Sequence, residues 1–325
     1  MSTFRLMLSI VLERARTLKE YQLDHPHPDT HEVLLRMDQV CLLDRDLDAF
    51  YYGHGKLPRV FGSSMIATVV GEEAESPGRI IPFFAGSAGR LKAGTRVIVF
   101  FDELQDGALR EYAAVPLHQC FPIEPDTPEA QLSLLPDMAI AAGTISRLNA
   151  TPGQTMVVLG ARAAGLSLAL AAQHAGLSVF LVDPHRPRLT QAEKLGISHT
   201  INPIVASLPE ELEWLAGGRP DFVIDTSGQQ EHMPAAVASL GAGSVLGLTA
   251  PIDYPFNLRD LAEGDFSVQS LVSVTPDVQA AAALVPQLPQ DALVSLSVPI
   301  IEIPAVVPSI IRERGTFLRL VGYQT

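Results

Sequence analysis

Residues 155–183, TMVVLGARAAGLSLALAAQHAGLSVFLVD, constrain the fold more than any other part of this chain. An apolar run of strand character, Thr155 to Leu159, meets a glycine turn, Gly160 to Gly165. An alanine-rich helical stretch, Leu166 to His174, follows, and a second apolar run, Ser178 to Val182, ends on Asp183. Strand, glycine turn, helix, strand and acid in this order make a βαβ dinucleotide-binding unit, with the acid about 20 residues past the turn. Gly160 lets the chain turn sharply out of the strand, and Gly165 lets the helix pack closely on the sheet. One position departs from G-x-G-x-x-G. Arg162 stands where a glycine normally lets backbone approach a pyrophosphate at the positive end of the helix. Its guanidinium either pairs with phosphate oxygens, which suits its geometry, or fills the phosphate site and blocks it. A purely structural glycine turn is the third reading.

The rhythm of the chain changes along its length. Residues 1–122 read as short strands, with β-like runs at Leu6 to Leu12, Glu32 to Leu43, Met65 to Val70 and Arg96 to Phe101. Proline and glycine clusters at His25 to Pro28, Gly53 to Pro58 and Gly86 to Gly94 punctuate them. After Pro136, alanine-rich helical stretches alternate with apolar strands at 155–160, 178–183, 221–225, 243–249 and 267–274. That alternation predicts a parallel sheet covered by helices on both faces. The tail returns to strand, helix and strand: Val298 to Ile303, a helix through Arg314, then Thr316 to Val321.

A chain of 325 residues is long enough for two domains, and its 47 % apolar content supports large cores. A formal net charge of −13 repels phosphate backbones, so no nucleic-acid partner is expected. Cys41 and Cys120 are the only cysteines, too few for a disulfide framework or a cysteine zinc cluster, and both sit in apolar runs that suit buried, inert thiols. The opening MSTFRLMLSIVLERAR has an apolar run broken by Arg5 and Arg14, too short to span a membrane and without a small-residue cleavage site. A cytoplasmic protein with no membrane association is the expectation.

Several segments together resemble the medium-chain dehydrogenase/reductase superfamily, which includes alcohol dehydrogenases and quinone reductases. Residues 9–46 are similar to its opening hairpin and the strand leading to the active site. Residues 109–116 (LREYAAVP) and 151–165 (TPGQTMVVLGARAAG) resemble two of its motifs, as do 189–203 (LTQAEKLGISHTINP) and 221–228 (DFVIDTSG). The resemblance runs nearly the whole length. It implies an α/β protein with a GroES-like β-rich domain, residues 1–122 and 290–325, and a Rossmann doubly wound parallel-sheet domain, residues 123–289. It also implies a homodimer, since the late Rossmann strand near 267–274 pairs across a two-fold axis in that family. An apolar edge strand is safer covered; the alternative is a central strand buried within one subunit.

The departures bear on chemistry. Zinc-dependent members hold the metal with a cysteine, a histidine and a later cysteine or acid. Here Leu43 occupies the first place, Ser63 the second, and the third falls near Pro136 and Asp137. Leucine cannot bind zinc and serine is a poor ligand, so no metal is expected. The cysteine-rich structural zinc lobe is also missing between Phe100 and Leu109. The chain therefore resembles the zinc-independent branch.

Without zinc, side chains must polarise a substrate oxygen and move its proton. The catalytic candidates are Arg45, Asp46, Tyr52 and His54. Each also has a plain reading as a packing or surface residue. Cofactor-binding candidates are the turn Gly160, Ala161, Arg162, Ala163, Ala164 and Gly165, together with Asp183, Thr226, Leu248, Thr249 and Arg319. By resemblance, Thr226 lines the ribose side, Leu248 and Thr249 contact the nicotinamide, and Arg319 pairs with the pyrophosphate. Asp183 would bond free ribose hydroxyls and repel a 2′-phosphate, which favours NAD(H) over NADP(H); Arg186 and Arg188 just beyond would soften that choice.

The function expected is an NAD(P)(H)-dependent, zinc-independent oxidoreductase that transfers a hydride to or from a small carbonyl, alcohol or activated alkene. The rival is a non-catalytic member of the family acting as a scaffold or as partner of a biosynthetic enzyme. A reductase subunit working with such a partner would read the same. Fold alone does not decide between them.

Overall fold

The computed structural model describes residues 6–70, 91–102, 104–256, 258–288, 296–312 and 320–324. These form two compact units, one of residues 6–136, 296–312 and 320–324, the other of residues 137–288.

The first unit opens with an antiparallel hairpin of β1 (Leu6–Arg14) and β2 (Thr17–Asp24). β1 buries Met7, Ile10, Val11 and Leu12, whereas β2, TLKEYQLD, is solvated along most of its length. A polar arm carries no apolar alternation, so only β1 shows in the sequence pattern. β3 (Glu32–Leu42) alternates Val33, Leu35 and Met37 into the core and carries a bulge between Met37 and Gln39. α1 (Asp44–Tyr52) follows directly and ends on Gly53 in the left-handed conformation, φ 76°. Then come β4 (Arg59–Val60), β5 (Ser64–Val70), β6 (Arg96–Phe100), β7 (Tyr112–Pro116), β8 (Cys120–Pro122) and α2 (Glu129–Leu132), while α3 (Leu135–Arg147) belongs to the second unit from Asp137 on.

The second unit alternates strand and helix. Its first half runs β9 (Thr155–Leu159), α4 (Ala163–His174), β10 (Ser178–Val182), α5 (Arg186–Lys194) and β11 (His199–Ile201). Its second half runs α6 (Leu208–Ala216), β12 (Phe222–Asp225), α7 (Met233–Ser239), β13 (Val245–Leu248), α8 (Leu258–Gly264), β14 (Ser267–Ser270) and α9 (Val278–Leu284). Every strand pair is parallel, in the order β11-β10-β9-β12-β13-β14. This is the doubly wound arrangement, and its order reverses between β9 and β12. On one face Val157, Leu159, Phe180, Val182, Val223 and Leu246 pack with Leu208, Leu212, Met233 and Ala236 of two helices. α4 is apolar nearly all round, and the run Gly165 to Ala172 is buried throughout, as such a helix requires.

The tail supplies β15 (Leu296–Pro299), α10 (Ile303–Arg312) and β16 (Leu320–Tyr323). β16 lies antiparallel to β3, with Leu320 opposite Leu42 and Tyr323 opposite Gln39, so the last strand of the chain belongs to the first unit's main sheet. That sheet runs β15-β16-β3-β5-β6-β8, with β7 paired to the start of β3; a smaller sheet holds β2-β1-β4. The molecule is thus mixed α/β, with a β-rich unit and a Rossmann-like unit.

Some boundaries differ from the sequence pattern. α4 begins at Ala163 rather than Leu166, because Arg162 already serves as its N-cap. The strand expected over 267–274 stops at Ser270, and the one expected from Val298 ends at Pro299, where Ile300–Glu302 coil into a 3-10 turn. Among the described residues no helix is long and apolar enough to cross a membrane.

Candidate functional site

Gly160 leaves β9 with φ 100°, a left-handed conformation that side chains disfavour, and its N–H donates to the Val182 carbonyl at 2.8 Å. A β-carbon on Gly160 would stand 3.0 Å from Thr226 Oγ1 and 3.1 Å from Ser227 Cβ. Gly165 is tighter still, since a β-carbon there would fall on the Gly160 carbonyl oxygen and lie 2.8 Å from Thr226 Oγ1. The glycine turn, the start of α4 and the loop after β12 are therefore pressed together where the sheet order reverses, the place at which such sheets bind ligands. Ala161, Ala163 and Gly165 are buried, while Arg162 and Ala164 are half-buried. Arg162 takes an extended backbone, φ −80° and ψ −174°, so a side chain there costs no strain, and it offers α4 no side-chain cap. The positive end of the α4 dipole thus lies at this turn.

Asp183 is 1 % exposed. Its Oδ2 accepts from Ala161 N–H at 2.9 Å and from Arg188 Nη1 at 3.1 Å. Its Oδ1 accepts from His185 N–H at 2.7 Å and faces His185 Nδ1 at 3.3 Å. The carboxylate is turned to the protein on all sides. Arg186 is held elsewhere, by Glu193 at 2.9 and 3.2 Å.

The loop after β12 is similarly committed. Thr226 donates its hydroxyl to the Leu159 carbonyl at 2.9 Å, which ties the loop to the end of β9. Thr249 donates its hydroxyl to the Asp225 carbonyl at 3.0 Å, and the Leu248 carbonyl accepts from Leu271 N–H at 2.7 Å. Thr226, Leu248 and Thr249 are all half-buried. Asp225 is fully buried and accepts from Ser227 N–H at 3.0 Å, Ser227 Oγ at 2.6 Å and Gly228 N–H at 3.1 Å. Burial pushes its carboxyl pKa up, against the pull of the Ser227 hydroxyl and amide and of His232. Ser227 Oγ also lies 2.9 Å from His232 Nδ1. His232 does not stand out in sequence, because its pairing with Ser227 depends on a loop that only the fold defines. Arg319 lies outside the described residues.

In the first unit the four catalytic candidates separate into two groups at opposite ends of α1. At its N-terminus, Asp46 Oδ2 accepts from Leu43 N–H at 2.8 Å and from the Ser63 hydroxyl at 2.8 Å. Arg45 Nε donates to Ser63 Oγ at 2.9 Å, and its Nη2 reaches the carbonyls of Ser63 at 3.4 Å and Phe101 at 3.3 Å. Ser63 thus bridges Arg45 and Asp46. Burial raises the Asp46 pKa, opposed by the Arg45 charge, the Leu43 amide, the Ser63 hydroxyl and the Arg59 charge. Asp46 Oδ1 and the Nε and Nη1 of buried Arg59 have no hydrogen-bond partner among the described residues. At the other end, about 10 Å along the helix from Arg45, Tyr52 stacks on His54 with centroids 5.4 Å apart and 54 % of Tyr52 exposed.

At two of the positions where the resemblance would place zinc ligands stand Leu43 and Ser63. Leu43 has an apolar side chain, and the Ser63 hydroxyl is spent on Asp46 and Arg45. Among the described residues, no three His, Cys, Asp or Glu side chains are grouped to hold a metal ion. Ser63 matters here as the bridge between Arg45 and Asp46, a role the sequence does not reveal.

This architecture is that of a two-unit protein with a doubly wound dinucleotide-type sheet. Residues 163–287 match the family model described as zinc-binding dehydrogenase. An uncharacterized zinc-type alcohol dehydrogenase-like protein of Haemophilus influenzae is 26 % identical, over 68 % of this chain and 69 % of that protein. The probable D-xylulose reductase A of Emericella nidulans is also 26 % identical, over 73 % of each. The crystal structure of a short chain alcohol dehydrogenase from E. coli CFT073, complexed with NADH, superposes with a TM-score of 0.81 at 18 % identity, covering 98 % of this chain and 99 % of that one. The resemblance to the medium-chain dehydrogenase/reductase superfamily is borne out.

Proposed function

We propose that this protein is an oxidoreductase of the alcohol or polyol dehydrogenase type that uses a nicotinamide dinucleotide and no zinc. The observation that carries the reading is the packing of Gly160, Gly165 and Thr226 at the switch point, at the N-terminus of α4. Backbone atoms approach there more closely than side chains would allow, which is what pyrophosphate binding needs. A nicotinamide supplies or accepts the hydride. The turn from Gly160 to Gly165 would hold the pyrophosphate, with Arg162 adding charge, and Leu248 and Thr249 would flank the nicotinamide.

Arg45 is the group we assign to the substrate oxygen. It is permanently ionised, half-buried, and oriented by Ser63 and the Phe101 carbonyl. Asp46, held beneath it through Ser63, is a positioning residue. The absence of a donor at Leu43 and the engagement of Ser63 support zinc independence. A scaffold without chemistry is not favoured, since the named relatives include a reductase. We further propose a homodimer formed through β14, which lies at the edge of the parallel sheet among the described residues.

The test is titration with NADH and with NADPH, followed by nicotinamide fluorescence, and then an oxidation screen of small alcohols and polyols with metal-free protein. Saturable binding with metal-free turnover is expected. Failure to bind either cofactor would overturn the reading.

A further inference from the structure

An ionised carboxylate offers roughly four lone-pair sites, and both oxygens of Asp183 are engaged inside the protein. Ala161 N–H and Arg188 Nη1 donate to Oδ2, while His185 N–H donates to Oδ1 and the His185 ring nitrogen Nδ1 lies 3.3 Å from it. At 1 % exposure, the residue presents no oxygen to a ribose. Its charge is also cancelled. The Arg188 side chain is 9 % exposed, permanently ionised, and 3.1 Å away. A buried ion pair acts at a distance as a dipole, so its repulsion of an approaching phosphate falls off faster than that of a lone carboxylate.

We propose that Asp183 is a positioning residue that locks the glycine turn through Ala161, and that Arg188, by neutralising it, makes the chain tolerant of a 2′-phosphate on the adenosine ribose. Phosphorylated and unphosphorylated nicotinamide dinucleotides would then bind alike. The cofactor part of this inference rests on the dinucleotide reading above. The Ala161 bond lies at the first amide after Gly160, so it fixes the direction in which the chain leaves the turn. Arg186 does not compete for Asp183, because Glu193 holds it. His185 is the outermost partner, with 47 % of its side chain exposed and the longest contact of the four.

Two measurements test this. The first uses the protein without cofactor: amide exchange at Ala161, read by NMR, should speed up at least tenfold in Asp183→Ala while the β9 amides stay protected. Unchanged exchange would overturn the locking role. If that variant does not fold, Asp183→Asn, which keeps one acceptor, should show the same effect in smaller measure. The second is the ratio of NADH to NADPH dissociation constants. We expect it within about fivefold of unity in the native chain, shifted at least tenfold towards NADH in Arg188→Met, and unchanged in Arg188→Lys. A native preference for NADH above a hundredfold, or an unshifted ratio in Arg188→Met, would overturn the tolerance. Should neither cofactor bind, the dinucleotide reading and the tolerance fall together, while the exchange measurement still decides the role of the Asp183–Ala161 bond.

Discussion

Gly165 sits directly against Gly160, and a methyl group on the helix residue would land on the carbonyl oxygen of the turn residue. Both partners are backbone or near it, and Thr226 closes the remaining side at 2.8 Å from the same point. The turn therefore cannot yield by a rotamer change. Gly165→Ala should cost about 1–3 kcal/mol or more by overpacking, seen as a lowered urea midpoint, and should weaken nicotinamide binding by distorting the turn. Native-like stability in this variant would mean that α4 can slide outward.

Ser63 should be as sensitive, for a different reason. Among the described residues its hydroxyl is the bridge between Arg45 and Asp46. Hydrogen bonds to charged groups contribute about 1.5–3 kcal/mol. Ser63→Ala should lose stability on that scale and lower turnover more than cofactor affinity, because Arg45 loses its orientation. Ser63→Thr keeps the hydroxyl and should recover much of both. Equal loss in the two variants would point to packing and not to the bridge.

Most of the second unit was legible because periodicity and glycine spacing are local. The strands at 155–159, 178–182 and 222–225 fall where apolar runs predict them. The first unit was less so. β2 has no apolar face, and α1 opens on Asp44-Arg45-Asp46 with no side-chain cap from Leu43, so neither announces itself. For the site, sequence places Arg45 and Asp46 side by side but cannot show that Ser63, 17 residues past Asp46, joins them. It identifies Asp183 as an acid at a strand end. Only the fold shows that Ala161, His185 and Arg188 converge on its two oxygens.

Cys120 gives a pH prediction. Burial pushes its thiol up to about 12, against about 8.5 in an unfolded chain. Between those values the unfolded chain releases a proton that the native state keeps, so the native state binds more protons and stability falls as pH rises. The contribution is fully present below about 8.5 and is lost at up to about 1.4 kcal/mol per pH unit on the way to 12. Cys120→Ala should remove that part of the alkaline slope in urea unfolding measured between pH 8 and 11. Alkylation by iodoacetamide at pH 8 should be slow at Cys120 in the folded protein. Rapid modification there would contradict the burial.

The edge of the parallel sheet predicts association. β14 pairs only with β13 among the described residues, and Val268 within it is 39 % exposed. An open strand edge is a template for pairing with a second copy. Sedimentation at micromolar concentration should give a dimer of the 34.9 kDa chain, and Val268→Lys should shift it to monomer. A native monomer at those concentrations would remove the proposed interface.

Arg162 offers a test whose sign separates two readings. It caps α4 with an extended backbone, so glycine can replace it without relieving strain. Glycine is also an acceptable N-cap, within a few tenths of a kcal/mol of the better ones. A urea midpoint measured on the cofactor-free Arg162→Gly protein separates any change in stability from the change in binding. If the guanidinium pairs with pyrophosphate, Arg162→Gly removes a charge-assisted bond of about 1.5–3 kcal/mol, a weakening of roughly 10- to 150-fold in NADH affinity. If the side chain instead occupies the phosphate site, the same change opens it and binding tightens. We expect weakening, because the rest of the turn is built for close backbone approach: Gly160 takes a left-handed φ and Gly165 admits no β-carbon. A tighter complex in Arg162→Gly would show that the native residue closes a site its own glycines still shape.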